Sequence, residues 1–250
     1  MTTVVPALRA EWLKAVTVRS TWACLLAYAV TVFGVSVGAV AAIGRSQAAQ
    51  ADYDPAVLAY YGLNFGHVAV IVLAVLLTAG EYGQHTVHTS LTAVPRRGVF
   101  LAARFGVGAG LVLVTAAGTA LATFLTTQAL LGPAGTTLAT PGSVRSLVAA
   151  VVQPTVLAVF CMAVGVLMRD QSGALSLLVP FFFLVSPVLE LVPVLQDAVQ
   201  FLPDRAGAVA IRTYGRPVDL FGPLTGLAIC LLWAGAAVLV ARWALQRRDA

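Results

Sequence analysis

The chain has 250 residues, 60% of them hydrophobic and 10% charged, with a formal net charge of +5 and a mean hydropathy of +0.92. Globular proteins carry roughly a quarter charged residues, so this composition excludes a soluble domain and indicates a polytopic, all-α integral membrane protein. The basic excess is not laid out as a face interleaved with aromatic residues, which excludes nucleic-acid binding as its purpose.

The first element is Val4–Arg19. Val5, Leu8, Trp12 and Val16 fall at helical spacing, with Arg9 and Lys14 off that stripe and Pro6 suited to a first turn. This predicts a short amphipathic helix lying in the membrane surface, apolar side down. The apolar run that follows is longer than the roughly 7–15 residues of a signal-peptide core, so it reads as an uncleaved first span.

Uncharged stretches then recur along the chain: Ser20–Gly44, Pro55–Gly80, Phe105–Val144, Ser146–Met168, Gln171–Leu189 and Leu220–Ala241. Each is near or above the roughly 20 residues a helix needs to cross the hydrocarbon core. The third breaks at GPAGTT (Gly132–Thr137), where Gly and Pro punctuate the chain. Six spans are expected, at about 22–43, 60–79, 105–131, 147–168, 174–192 and 220–241. Barrel strands are excluded, because the runs are too long and do not alternate.

Trp22 is placed as an interfacial anchor of the first span. The second span carries Tyr60, Tyr61, Asn64 and His67 near its outer end. Span four contains Gln153-Pro154, with a kink expected at Pro154. RDQSG (Arg169–Gly173) is a tight inner turn. The region Glu190–Asp219, broken by Pro193, Pro203 and Pro217, reads either as an outer loop or as short helices dipping into the outer leaflet. Glu190 reads as a solvated loop acid.

Charge fixes the expected orientation. With the N-terminus inside, the inner segments hold ten basic and four acidic residues, a net of +6, and the outer segments five basic and six acidic, a net of −1. That is the positive-inside pattern, so both termini are expected in the cytoplasm. No internal repeat is evident, which weakens a secondary transporter built on inverted repeats.

The chemistry-bearing stretch is GEYGQHTVHTSLTAVPRRGVFLAAR, Gly80–Arg104. Glu81, His85 and His88 share a helical face. They open the reading of a membrane-embedded metalloenzyme, but a zinc protease needs two histidines four apart with glutamate directly after the first. His67 lies toward the opposite membrane face. Cys24, Cys161 and Cys230 all sit in apolar spans without metal-ligand spacing and read as small core residues. There is no G-x-S-x-G nucleophile elbow and no Walker A sequence, and no intramembrane Asp, Glu, Lys or Arg marks an ion pathway. What remains is mechanical: a polar face (Glu81, His85, His88, Thr89) against an apolar one (Val87, Leu91, Val94), stopped by Pro95, with Arg96, Arg97 and Arg104 at the headgroups. Gly34-x3-Gly38 and Gly106-x3-Gly110 permit close helix approach, and in so Ala- and Gly-rich a chain their expected use is packing within one molecule.

The pattern E-x4-T-x3-S-L-x3-P-R-R-x2-F-L-x2-R, from Glu81 to Arg104, resembles a motif of bacterial type-2 ABC exporter permeases. EWLKAVTVRSTW (Glu11–Trp22) is similar to their N-terminal elbow helix running into the first span. MRDQSGAL (Met168–Leu175) is similar to their inner turn between spans four and five, and LPDRAG (Leu202–Gly207) to their outer loop before the last span. Arginine in preference to lysine and heavy Ala/Val use resemble actinobacterial members. The resemblance implies the transmembrane half of an exporter in the cell membrane, paired with a second permease chain. A separate cytoplasmic ATPase would bind the ATP and Mg, and this chain would hold no cofactor. The resemblance places ATPase contact on Glu81, Tyr82, Thr86, Ser90 and Leu91 of a coupling helix, with Arg96, Arg97 and Arg104 setting membrane register. It carries over no substrate residue. An ATP-independent carrier or a structural membrane subunit stands as a further alternative.

Overall fold

The computed structural model describes residues 4–50, 52–80, 97–216 and 218–247. Every regular element among them is helical. In chain order they are α1 (Val4–Thr17), α2 (Arg19–Gln47), α3 (Pro55–Ala59), α4 (Leu63–Thr78) and α5 (Arg97–Leu131). After a 3-10 turn at Gly132–Ala134 come α6 (Ser143–Met168), α7 (Gln171–Pro180), α8 (Ser186–Glu190), α9 (Gln196–Val199), α10 (Pro203–Ile211) and α11 (Pro223–Arg247). A π turn at Phe181–Val185 makes α7 and α8 one continuous rod.

Five helical runs are long and apolar enough to cross a membrane: Arg19–Gln47, Gly98–Ala134, Ser143–Met168, Gln171–Glu190 and Pro223–Arg247. The remaining apolar helix, α4, has 16 residues, which is about 24 Å of helix against a hydrocarbon core of about 30 Å. It is also among the most enclosed. Val70, Ile71, Leu73, Ala74 and Val75 are all at most 2% exposed.

Two cores flank α4 and α6. In one, Leu25, Tyr28 and Val32 of α2 meet Leu63, Val70 and Leu73 of α4 and Leu111, Val112 and Phe124 of α5. In the other, Ile71 and Val75 of α4 meet Leu157, Cys161 and Met162 of α6, Leu178 of α7, Phe182 of the π turn, and Ala241 and Leu245 of α11. Large apolar side chains also point outward along the long helices, among them Leu26, Val114, Leu232 and Leu239. That is the distribution expected of helices solvated by lipid rather than water.

Pro154 is accommodated within α6, which runs unbroken from Ser143 to Met168. The break in the fifth apolar run is elsewhere. Pro187 has no N–H to give the preceding turn, and the helix opens there to a π turn carrying Phe181, Phe182 and Phe183. The RDQSG turn is tight, as expected. Arg169 ends α6 in the left-handed region at φ 55°, and the Asp170 carboxylate accepts from Gly173 N to start α7.

The segment 190–219 forms short helices, and α10 packs on both α6 and α11. Its buried residues are Pro203, Val209 and Ile211 together with the small Ala206, Gly207 and Ala210, and the small ones let the backbones come together. A Cβ added at Gly226 of α11 would lie 2.5 Å from the Ala206 carbonyl oxygen.

The glycine pairs behave differently from the sequence expectation. A Cβ added at Gly34 or Gly38 of α2 or at Gly110 of α5 would meet nothing within 4 Å among the described residues beyond its own helix backbone, and one at Gly106 would meet only Leu8, at 3.9 Å. They do not serve packing within the described chain. Leu26, Val30, Gly34 and Gly38 form one exposed stripe along α2.

Candidate functional site

The expected coupling residues Glu81, Tyr82, Thr86, Ser90, Leu91 and Arg96 lie outside the described residues, as do His85, His88 and the side chain of Arg97. The chain re-enters the described structure where α5 begins, at Arg97. Arg104, about two turns of helix further on, is not at a free surface: it is 4% exposed. Arg104 Nε donates to Glu11 Oε2 at 3.0 Å and Nη2 to Glu11 Oε1 at 3.5 Å. The Phe100 ring lies under the guanidinium at 4.4 Å. Lys14 Nζ donates to Glu11 Oε1 at 3.0 Å from one turn along α1.

This joint pins α1 to α5. Ala7 and Ala15, four residues either side of Glu11, are also buried, so α1 presents a face of small residues with one carboxylate at its centre. The expected stripe faces elsewhere: Val5, Leu8 and Trp12 are exposed and free to meet a membrane surface. Burial alone would raise the Glu11 carboxyl above its ordinary value. The Arg104 charge and hydrogen bonds, with those of Lys14, outweigh it and hold it below. Sequence reading placed both residues on the inner side but did not pair them. The available signal was the acid between two alanines at helical spacing. Trp22, at the entry to α2, donates from Nε1 to Val16 O at 2.8 Å and fixes the bend between α1 and α2.

The opposite end of the bundle is closed by a polar clasp. Asp54 caps α3 by accepting from Ala56 N and Val57 N, and it also accepts from Thr213 N at 2.8 Å and Thr213 Oγ1 at 3.0 Å. Arg145 at the start of α6 donates to the carbonyls of Arg212 and Thr213, and Ser146 donates to Ile211 O. Tyr214 donates to Tyr53 O, and Arg212 pairs with Asp219. Three connections distant in sequence are thereby tied at one point.

Behind the clasp lie two adjoining cavities that share Arg205 and Ala208. One, of about 600 Å³, is bounded by Glu190, Asp197, Arg212 and Asp219. The other, of about 250 Å³, opens between α4 and the π turn, beside Tyr61, Phe65, Phe182 and Phe183. Its floor is polar. His67 Nε2 donates to Gln153 Oε1 at 3.1 Å, and both residues are buried. Glu190 is exposed, as expected of a solvated acid, and pairs with Arg205 at 2.5 Å. Arg205 also donates to Ser186 Oγ at 3.2 Å and lies 3.3 Å from Asp204, whose Oδ2 accepts from Ser186 at 2.6 Å. Burial raises the Asp204 carboxyl, against the opposing pull of Ser186 and Arg205.

Among the described residues no group of three His, Cys, Asp or Glu side chains is arranged to hold a metal. Cys24, Cys161 and Cys230 are unpaired thiols, the last donating to Pro203 O at 3.1 Å. No protein-family model matches the chain, and no curated protein matches it.

Proposed function

We propose that this chain is the permease subunit of an ABC-type exporter, a six-span membrane protein with both termini in the cytoplasm that couples ATP hydrolysis in a separate subunit to export by alternating access. The short helix α4 is the sixth crossing. It packs between α2 and α6, and its enclosure by other helices makes full bilayer length unnecessary. The elbow is α1, and the coupling helix is Glu81–Val94, within the coupling segment 81–104 that carries the motif from Glu81 to Arg104.

The observation that best supports the reading is the Glu11–Arg104 joint. The 81–96 connection leads directly into α5, and about two turns later α5 is bonded to α1 through a buried ion pair. A partner that displaces the connection therefore moves α5 and α1 together. In this mechanism the partner ATPase, with ATP and Mg in its own sites, pushes residues 81–96 as it closes. The push tilts α2, α4 and α5 against the rest. A second permease chain pairs alongside, and the open stripe of Leu26, Val30, Gly34 and Gly38 on α2 suits close helix contact.

The test is co-purification with the ATPase encoded nearest to it, followed by ATPase measurements on the reconstituted complex. Glu81→Lys, and Thr86→Ala with Leu91→Ala, are expected to abolish the permease-dependent change in ATP hydrolysis. Coupling unchanged in both variants, or ATP turnover by the isolated chain, overturns the proposal.

A further inference from the structure

The two cavities at the clasped end carry a charge opposite to that of the chain. Their walls hold four carboxylates, Glu190, Asp197, Asp204 and Asp219, against two guanidinium groups, Arg205 and Arg212, whereas the whole chain is +5. Both arginines are already committed. Arg212 pairs with Asp219, and Arg205 pairs with Glu190 and Asp204. The net of −2 is therefore an excess of carboxylate. Asp204 Oδ1 has no hydrogen-bond partner.

The apolar wall is equally particular. Tyr61, in the turn just before α4, and Phe65, in its first turn, have ring centroids 6.1 Å apart. Across the opening, the π turn places Phe182 and Phe183 on the cavity. Phe182 is held edge-on between Phe160 and Phe181. Tyr61, Phe65 and Phe183 stay substantially exposed. Aromatic faces attract a cation, most strongly where water is excluded. Exposed rings beside a partly buried carboxylate, one oxygen of which has no hydrogen-bond partner, match a ligand with a positive charge on an apolar body. The cavity these rings line has about 250 Å³ and adjoins, at Arg205 and Ala208, the larger one of about 600 Å³; the larger lies within the usual ligand-pocket range of about 300–1,000 Å³, and the ligand body needs room from both.

We propose that the adjoining cavities bind a lipophilic organic cation, its apolar body against Tyr61, Phe65, Phe182 and Phe183 and its charge toward Asp204. As an assignment of the exported substrate class this rests on the permease reading; as a binding site it stands on the cavities alone.

The test uses the purified full chain in nanodiscs of zwitterionic lipid, without any ATPase. Tetraphenylphosphonium is the probe, and tetraphenylborate, of the same shape and opposite charge, is the control, with empty nanodiscs subtracted. Saturable phosphonium binding is expected, with no saturable borate binding. Asp204→Asn, and separately Tyr61→Leu with Phe65→Leu, should each weaken phosphonium binding by about tenfold or more. Non-saturable phosphonium binding, equal binding of both ions, or unchanged affinity in a folded Asp204→Asn protein overturns the proposal. Should Asp204→Asn fail to fold, the exposed ring pair decides alone, and unchanged affinity there overturns it. A chain that recruits the ATPase but binds no phosphonium loses only the cation site. A chain that binds phosphonium but recruits no ATPase loses only the permease reading.

Discussion

Replacing Glu11 by glutamine probes the joint between α1 and α5 with almost no change in shape. The side chains of Arg104 and Glu11 are 4% and 10% exposed. Stranding one partner of a buried ion pair costs about 3–5 kcal/mol. Glutamine keeps one acceptor for Arg104, so the lower end applies, about 3 kcal/mol. At about 2–4 °C per kcal/mol for a chain of this size, Tm should fall by about 6–12 °C. A thiol-reactive dye reads the transition directly, because Cys161 and Cys230 are 0% and 3% exposed. The half-buried Cys24 is first replaced by alanine to lower the background.

A double-mutant cycle with Arg104→Gln isolates the pair from the other contacts of Arg104. The depressed Glu11 carboxyl adds a pH signature. A group whose pKa is lower in the folded state stabilises fully above its ordinary value, here 4.5, and that contribution disappears as the pH falls below it. Glu11→Gln should lack this acid-dependent loss. A Tm change under about 2 °C, or a coupling energy below about 0.5 kcal/mol, refutes the assignment of the joint.

Three further outcomes follow from the same structure. Asp54→Ala uncaps α3 and frees Thr213. At about 1–2 kcal/mol this should speed tryptic cleavage at Arg212 by about 5–30-fold, and unchanged cleavage would remove Asp54 from the clasp. His67→Leu leaves the buried Gln153 oxygen unpaired and should cost about 1–3 kcal/mol, with partial recovery on adding Gln153→Leu; a double variant less stable than the single would show that the hydrogen bond is not the reason. In a cysteine-free background, Thr137→Cys should react with an impermeant maleimide on intact cells and Ser172→Cys only after permeabilisation, and the reverse pattern would invert the proposed orientation.

The long helices were legible in sequence because an apolar run of sufficient length needs no tertiary information. Their ends were less so. α2 begins at Arg19 and ends at Gln47, and α5 begins at Arg97, all beyond the uncharged stretches, since a helix continues past the limits of its apolar core wherever its end groups remain paired. Around α10 the sequence left loop and short helices both open, because the prolines interrupt the chain and nine residues, Pro203–Ile211, are too few to form a long apolar run. The Glu11–Arg104 joint spans 93 residues, and nothing periodic links two positions that far apart. Chemistry was visible in residue type, as at His67 and Glu190, but their partners Gln153 and Arg205 come from other helices and become apparent only once the chain is folded. The π turn had a local cue in Pro187, yet that cue does not say which rings the widened turn presents.

The clasp joining Asp54, Arg145, Ser146 and Thr213 also limits how the bundle can move. With helices fixed to one another at that end, neighbours cannot slide lengthwise, so any rearrangement must pivot about it. α6, with 26 residues, is about 39 Å long. A sideways shift of about 5 Å at its far end then needs a swing of only about 7°. Small hinge angles near the clasp thus translate into ångström-scale opening where α1 sits, a lever whose gain is set by helix length.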